Sequence, residues 1–148
     1  MNTLKIALFS TMLLFVFNSF GQATNSKIIE PFFKEYKIDP IKAYENLFVG
    51  NKWMKDKKSE LETIKIKLND LVSTLGEYYG YEIITEKKAG ESLILQSFLV
   101  KYERQPLRFT FLLYKPNDSW QIQNFSYDAN IDDELEEAAK AYRLKYNW

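Results

Sequence analysis

The sequence predicts an α+β domain in which N-terminal helices precede a four-stranded antiparallel meander and a C-terminal helix. Three observations lead to this class. Up to residue 79, apolar residues recur at spacings of three and four, which is the spacing of one helix face. From residue 81 to residue 127, the apolar period becomes two, and β-branched and aromatic residues dominate. Short turns separate the alternating segments, and such turns join antiparallel neighbours.

Two short helices are predicted at the start of the domain. One face of the first carries Ile28, Ile29, Phe32, Phe33 and Tyr36. Its start is predicted at Pro31, because proline suits the first helical turn. Asp39 then caps a second helix whose first position is Pro40 and which ends before Gly50.

A longer helix is predicted to begin at Ser59, which has the spacing of a capping box with Glu62. The apolar residues that follow keep the helical period through Tyr79. Gly76 and Gly80 are the candidate terminators of this helix.

Four strands are predicted, at residues 81–87, 93–104, 107–114 and from Trp120 to residue 127. One face of the second strand carries Ile94, Gln96, Phe98, Val100 and Tyr102. Strict alternation in the fourth strand places Ile122 and Phe125 on opposite faces.

The tail, residues 132–146, is predicted to be a helix because its start is acidic and its end is basic, as the helix dipole favours. The acidic segment 128–134 lacks the glycine and the glutamate of a helix-loop-helix calcium site, so we interpret it as the start of this helix. The tail helix packs either on its own domain or on a partner.

Residues 1–23 have the pattern of a cleaved signal peptide. Lys5 supplies the positive charge, residues 6–17 form the apolar core, and Gly21 and Ala23 are the small residues before the cleavage site. The apolar run is shorter than the ~20 residues of a spanning helix, so we expect no stable membrane span after cleavage. Residues 24–148 then form a single exported domain, periplasmic or secreted.

The composition removes several classes of function. The chain contains no histidine and no cysteine, which excludes Ser-His and Cys-His nucleophilic systems and the preferred ligands of zinc. We expect no metal and no cofactor. Its 20 basic residues balance 20 acidic residues, so no electrostatic footprint for nucleic acid is present.

Part of the chain resembles small exported bacterial proteins of the nuclear-transport-factor-2-like and cystatin-like α+β cone superfamily. The resemblance covers residues 59–128 and rests on Gly80-Tyr81-Glu82, on the strand 100–109, and on a Tyr114-Lys115-Pro116 turn leading to Trp120. It implies a curved sheet whose concave face holds a small ligand, a substrate or a protein partner. No residue matches the catalytic positions of the isomerase members, so none is carried over.

If the sheet is curved as the resemblance implies, the residues most able to hold a ligand are Gln96, Tyr102, Arg104, Arg108 and Tyr114. Arginine forks suit carboxylates and phosphates. The alternative interpretation, which we favour, is that Arg104 and Arg108 flank a turn and lie in solvent.

Three tyrosines around Gly80 have two interpretations. Tyr78, Tyr79 and Tyr81 form the wall of an aromatic pocket, or they close the end of the hydrophobic core. We favour closure of the core.

The sequence therefore favours a noncatalytic exported module that binds a small ligand or a protein partner through a concave sheet face. One alternative is an isomerase or dehydratase based on carboxylates and tyrosines, with candidate carboxylates Glu82, Glu86, Glu103 and Asp128. Such an enzyme needs a buried carboxyl group beside a tyrosine hydroxyl. The other alternative is a structural or oligomerising protein that forms a homodimer through the sheet face.

Overall fold

A computed structural model describes residues 22–146 of the chain, with side chains at residues 27–141. The helices are α1 (Gln22–Tyr36), α2 (Pro40–Leu47), a 3₁₀ helix (Lys52–Lys57), α3 (Lys58–Val72) and α4 (Ile131–Tyr146). The strands are β1 (Tyr78–Ala89), β2 (Leu93–Tyr102), β3 (Leu107–Tyr114) and β4 (Gln121–Asp128). The α+β class is confirmed. Apart from residues 22 and 23, the predicted signal peptide lies outside the described residues.

The four strands form one antiparallel sheet in the order β1-β2-β3-β4, which is the predicted meander. One face, called the inner face below, carries α1 and α2. The alternation predicted for β2 is confirmed, because the inner positions Ile94, Gln96, Phe98, Val100 and Tyr102 are all buried.

The core between α1 and the inner face is built largely from aromatic rings. The ring of Phe32 lies 5.1 Å from Phe111 and 6.1 Å from Phe125, and Phe33 lies 5.3 Å from Phe98. Each such pair is worth about 0.5–1.5 kcal/mol beyond its area burial. Leu68 of α3 is also fully buried in this core. The centre of the inner face is therefore filled by the domain's own side chains.

The cap of α2 is confirmed: the Asp39 carboxylate accepts hydrogen bonds from the backbone N–H groups of Ile41 and Lys42. The predicted start of α1 is wrong, because the helix begins at Gln22 and Pro31 lies inside it. Proline cannot donate to the carbonyl four residues earlier, at Lys27. Lys27 is exposed, so water can satisfy that carbonyl.

The predicted capping box is also wrong. Helix α3 begins at Lys58, directly after the 3₁₀ helix, and no side chain caps it. Ser59 is already helical, and its carbonyl accepts a hydrogen bond from the hydroxyl of Thr63. Glu62 instead pairs with Lys65 at 2.8 Å.

Helix α3 ends at Val72, earlier than predicted, and Tyr78 and Tyr79 belong to β1. Gly76 lies in the connecting turn at φ +77°, where a Cβ atom would stand 2.5 Å from Oε2 of Glu103. That turn needs glycine. Gly80 is not a helix terminator, because it lies within β1.

Strict alternation fails in β4. Leu112 pairs with Asn124 and Leu113 pairs with Ile122, so Gln123 is an extra residue, as in a β-bulge. The bulge brings Ile122 and Phe125 onto the same buried face. The predicted tail helix is confirmed and begins at Ile131, one residue before its predicted start.

Among residues 22–146, no helix combines the length and the apolar character that crossing a membrane requires.

Candidate functional site

The five ligand-binding residues predicted from the sequence do not meet in one cavity. Gln96 and Tyr102 lie on the inner face. Gln96 pairs with the inner position Phe111 of β3, and Tyr102 pairs with Tyr78 of β1. Arg108 and Tyr114 lie on the opposite, outer face of β3. Arg104 follows the end of β2 and is exposed.

The two inner residues are engaged within the domain. The hydroxyl of Tyr102 lies 2.5 Å from the hydroxyl of Tyr36 in a buried hydrogen bond. Burial raises the pKa of Tyr102 to about 12, and burial followed by repulsion from Tyr102 raises the pKa of Tyr36 well above its usual range. The amide nitrogen of Gln96 donates to Glu86 at 2.7 Å, while its Oε1 has no partner among the described residues.

Arg108 is neutralised by two carboxylates. Its Nε donates to Asp128 at 2.9 Å, and its Nη1 donates to Glu134 in the first turn of α4. Hydrogen bonds to Glu134 and then to Asp128 raise the pKa of the guanidinium further. The arginine therefore fixes the start of α4 against the sheet, and its charge is not free for a ligand.

The inner face opens at its β1 margin into a groove, called the aromatic groove below. Its volume is about 450 Å³, within the usual range for small-molecule sites. Helix α1 provides one wall, β1 the other, and β2 contributes a single lysine. The lining residues are Glu30, Phe33, Lys34, Lys37, Tyr78, Tyr79, Gly80, Tyr81 and Lys101.

A β-bulge in β1 builds the tyrosine wall. Tyr78 pairs with Tyr102 and Gly80 pairs with Lys101, so Tyr79 is the extra residue. Because of this extra residue, Tyr78 and Tyr81 share the inner face, although their spacing in a regular strand would separate them. Gly80 has φ +108°, a conformation that glycine adopts without steric cost.

The rings differ in how much surface they leave open. Tyr81 stacks on Phe33, with ring centroids 3.6 Å apart and planes inclined by 10°. Tyr78 makes edge contacts to Tyr36 and Tyr102 at 5.6 and 5.7 Å. Tyr79 is 57% exposed. Two of the three tyrosines thus close the end of the core, as favoured from the sequence, while all three also line the groove.

The titratable groups of the groove are neutral hydroxyls and ammonium groups, with one carboxylate. Burial raises the pKa of Tyr78 to about 12 and also raises the pKa values of Tyr79 and Tyr81. The tyrosines are therefore protonated donors at neutral pH. Lys101 pairs with Glu82 at 2.6 Å.

Two smaller cavities lie elsewhere among the described residues. One of about 260 Å³ lies between α1, α2 and the start of β4 and includes Trp120; another of about 270 Å³ lies between α2 and α3.

The enzyme alternative needs a buried carboxyl group. Within residues 27–141, the buried polar side chains are Asn51, Gln96 and Ser97. No group of three or more potential metal ligands comes together there either.

No protein-family model matches the chain, and neither curated proteins nor solved structures give a significant match. The superfamily resemblance therefore stays a prediction. The candidate site is inferred from the geometry of the groove alone. The sequence pointed to Tyr78, Tyr79 and Tyr81, but it did not point to Lys34 or Lys37. Their position one helix turn apart near the end of α1 gave no indication that β1 lies opposite.

Proposed function

We propose that the domain is an exported, noncatalytic module that binds a small ligand in the aromatic groove. The observation that carries this proposal is the groove itself, an open cavity of about 450 Å³ walled by four aromatic rings. Ligand sites are concave and lined mainly by apolar and aromatic side chains, with a few polar groups. The groove lies at the margin of the inner sheet face, while the centre of that face is filled.

Export and the absence of catalysis rest on the sequence. The signal-peptide pattern of residues 1–23 supports delivery out of the cytoplasm. The chain has no histidine or cysteine, and the tyrosines of the groove are held protonated, so they are poor bases at neutral pH. These features favour binding over an isomerase or dehydratase activity.

The test measures how tightly the neutral bicyclic probe indole-3-acetamide binds to variants of two exposed tyrosines. Tyr79→Ala removes a ring of the groove, and Tyr114→Ala is the matched control on the outer face, where the ring is 38% exposed. We expect Tyr79→Ala to weaken binding by about 2- to 10-fold, the value of one aromatic contact, and the control to leave it unchanged. Titration calorimetry and the NMR shifts of the tyrosines measure the affinity of each variant for the probe. Equal weakening by both variants, or no binding of either this probe or its carboxylate analogue indole-3-acetate, would contradict the proposal.

A second candidate function is self-association through the outer sheet face. This face carries the exposed or half-exposed side chains Leu93, Leu95, Leu99, Leu112 and Tyr114. Exposed apolar patches of this kind mark interaction sites. Size-exclusion chromatography with light scattering tests the candidate: a dimer that Leu95→Lys dissociates supports it, and a monomer at all concentrations removes it.

A further inference from the structure

We propose that the ligand of the aromatic groove is a planar aromatic carboxylate, with its ring against the tyrosines of β1 and its carboxylate at Lys34 and Lys37, at the C-terminal end of α1. The inference rests on the proposed function of the groove and adds the chemical class of its ligand.

The charge of the lining supports an anion. Three lysines and a single glutamate line the groove, although the whole chain has 20 basic and 20 acidic residues. Lys101 is engaged by Glu82. Lys34 and Lys37 are exposed and form no ion pair with any side chain of residues 27–141.

The placement of these two lysines is specific to the groove. Lys34 lies in the last turn of α1, and Lys37 directly follows its last residue, Tyr36. The N–H of Lys37 still donates to the carbonyl of Phe33 four residues earlier, so the two lysines lie on one side of the helix end. A cation at a helix C-terminus also interacts with the helix dipole. The dipole accounts for basic residues near the end of α1, but it does not require two of them to line the same cavity.

The rings of the groove favour a planar ligand. Aromatic pairs prefer stacked or edge-to-face arrangements, and a flat ring can adopt either one against Tyr79 or Tyr81, both of which are partly exposed. The tyrosine hydroxyls are protonated at neutral pH, so they donate to a carboxylate and do not repel it. The apolar wall and the basic rim therefore match the two ends of one amphipathic molecule.

The experiment uses two probes that differ in charge and are nearly equal in shape, indole-3-acetate and indole-3-acetamide, with the full chain purified after expression. We expect the carboxylate to bind about 3- to 10-fold more tightly at low salt, the value of two exposed ion pairs. The difference should shrink at 1 M salt, because the Debye length falls to about 3 Å.

The double variant Lys34→Gln/Lys37→Gln should reduce the affinity for the carboxylate to that for the amide, while the amide binds as before. The control Lys55→Gln/Lys57→Gln removes the same charge from exposed positions of the 3₁₀ helix and should preserve the difference. Equal affinities of the two probes for the unmodified protein, or equal effects of the two double variants, overturn the inference while the proposed function stands. Binding of neither probe overturns both.

Discussion

The buried hydroxyl pair of Tyr36 and Tyr102 gives a sharp test of how the core is held together. Their oxygen atoms lie 2.5 Å apart, and the side chains are 1% and 7% exposed. Replacing either residue alone with phenylalanine leaves the other hydroxyl buried without its partner. An orphaned buried polar group costs about 1–3 kcal/mol, whereas removing both partners is nearly neutral.

We therefore expect Tyr36→Phe and Tyr102→Phe each to lower the free energy of unfolding by about 1–3 kcal/mol. The double variant should lose less than the sum of the two, with a coupling of at least about 1 kcal/mol. Urea denaturation followed by circular dichroism and tryptophan fluorescence measures all three variants. Tyr114→Phe on the outer face is the control and should change nothing.

The double variant decides the question. If its loss equals the sum of the two single losses, the hydroxyls are not coupled, and the short contact contributes nothing to stability. A loss in the control as large as in the single variants would likewise refute the reasoning, because the effect would then not depend on burial.

Three further predictions concern pH, the C-terminal helix and processing. The pKa values of Tyr78 and Tyr102 are raised to about 12 in the folded state. Their contribution to stability is therefore complete below pH ~10, the pKa of an unfolded tyrosine, and is lost as the pH rises towards 12. Absorbance at 295 nm and circular dichroism should show tyrosinate formation and unfolding together in that range. Arg108→Gln should speed amide hydrogen exchange in α4 and lower the free energy of unfolding by no more than about 1 kcal/mol, since the two ion pairs of Arg108 are partly exposed. The control Arg104→Gln should change neither the exchange rates nor the stability. Expression of the full chain in a bacterial host should yield an exported product whose mass corresponds to a start at Thr24. A cytoplasmic product that keeps residues 1–23 would contradict the interpretation of these residues as a signal peptide.

The sequence predicted the parts of the fold that depend on local or strictly periodic patterns. Asp39 caps α2 because capping involves only the next few residues. The alternation in β2 and β3 places Phe98 and Phe109 in the core because one side of each strand faces the helices.

The failures arise where an adjacent element or a distant contact overrides the local pattern. Ser59 does not cap α3, because the preceding 3₁₀ helix runs directly into it and leaves no extended residue at that position. The helical spacing through Tyr79 was misleading, since Leu75 and Tyr78 are apolar on account of the core and not of a helix. Bulges at Tyr79 and Gln123 depend on cross-strand pairing, which periodicity within one strand does not reveal.

The candidate site was only half visible for a similar reason. Tyr78, Tyr79 and Tyr81 attract attention as a cluster, but Lys34 and Lys37 come from the C-terminal end of α1, and packing brings the two segments together. Arg108 attracts attention because an arginine fork suits carboxylates and phosphates, yet its charge serves the attachment of α4.

The bulge at Tyr79 adds one ring to the groove while its neighbours Tyr78 and Tyr81 stay on the inner face. Exchanging Tyr81 for another aromatic residue keeps a ring facing Phe33. Deleting Tyr79 would leave Tyr78 and Tyr81 two residues apart, a spacing at which regular alternation keeps both on the inner face, so the deletion would remove the bulge and one ring of the groove without displacing the other two tyrosines. A related chain that had lost one residue here would keep the sheet and the helices but would have only part of the wall. The extra residue of this bulge therefore distinguishes chains that share the fold from chains that also share the complete tyrosine wall.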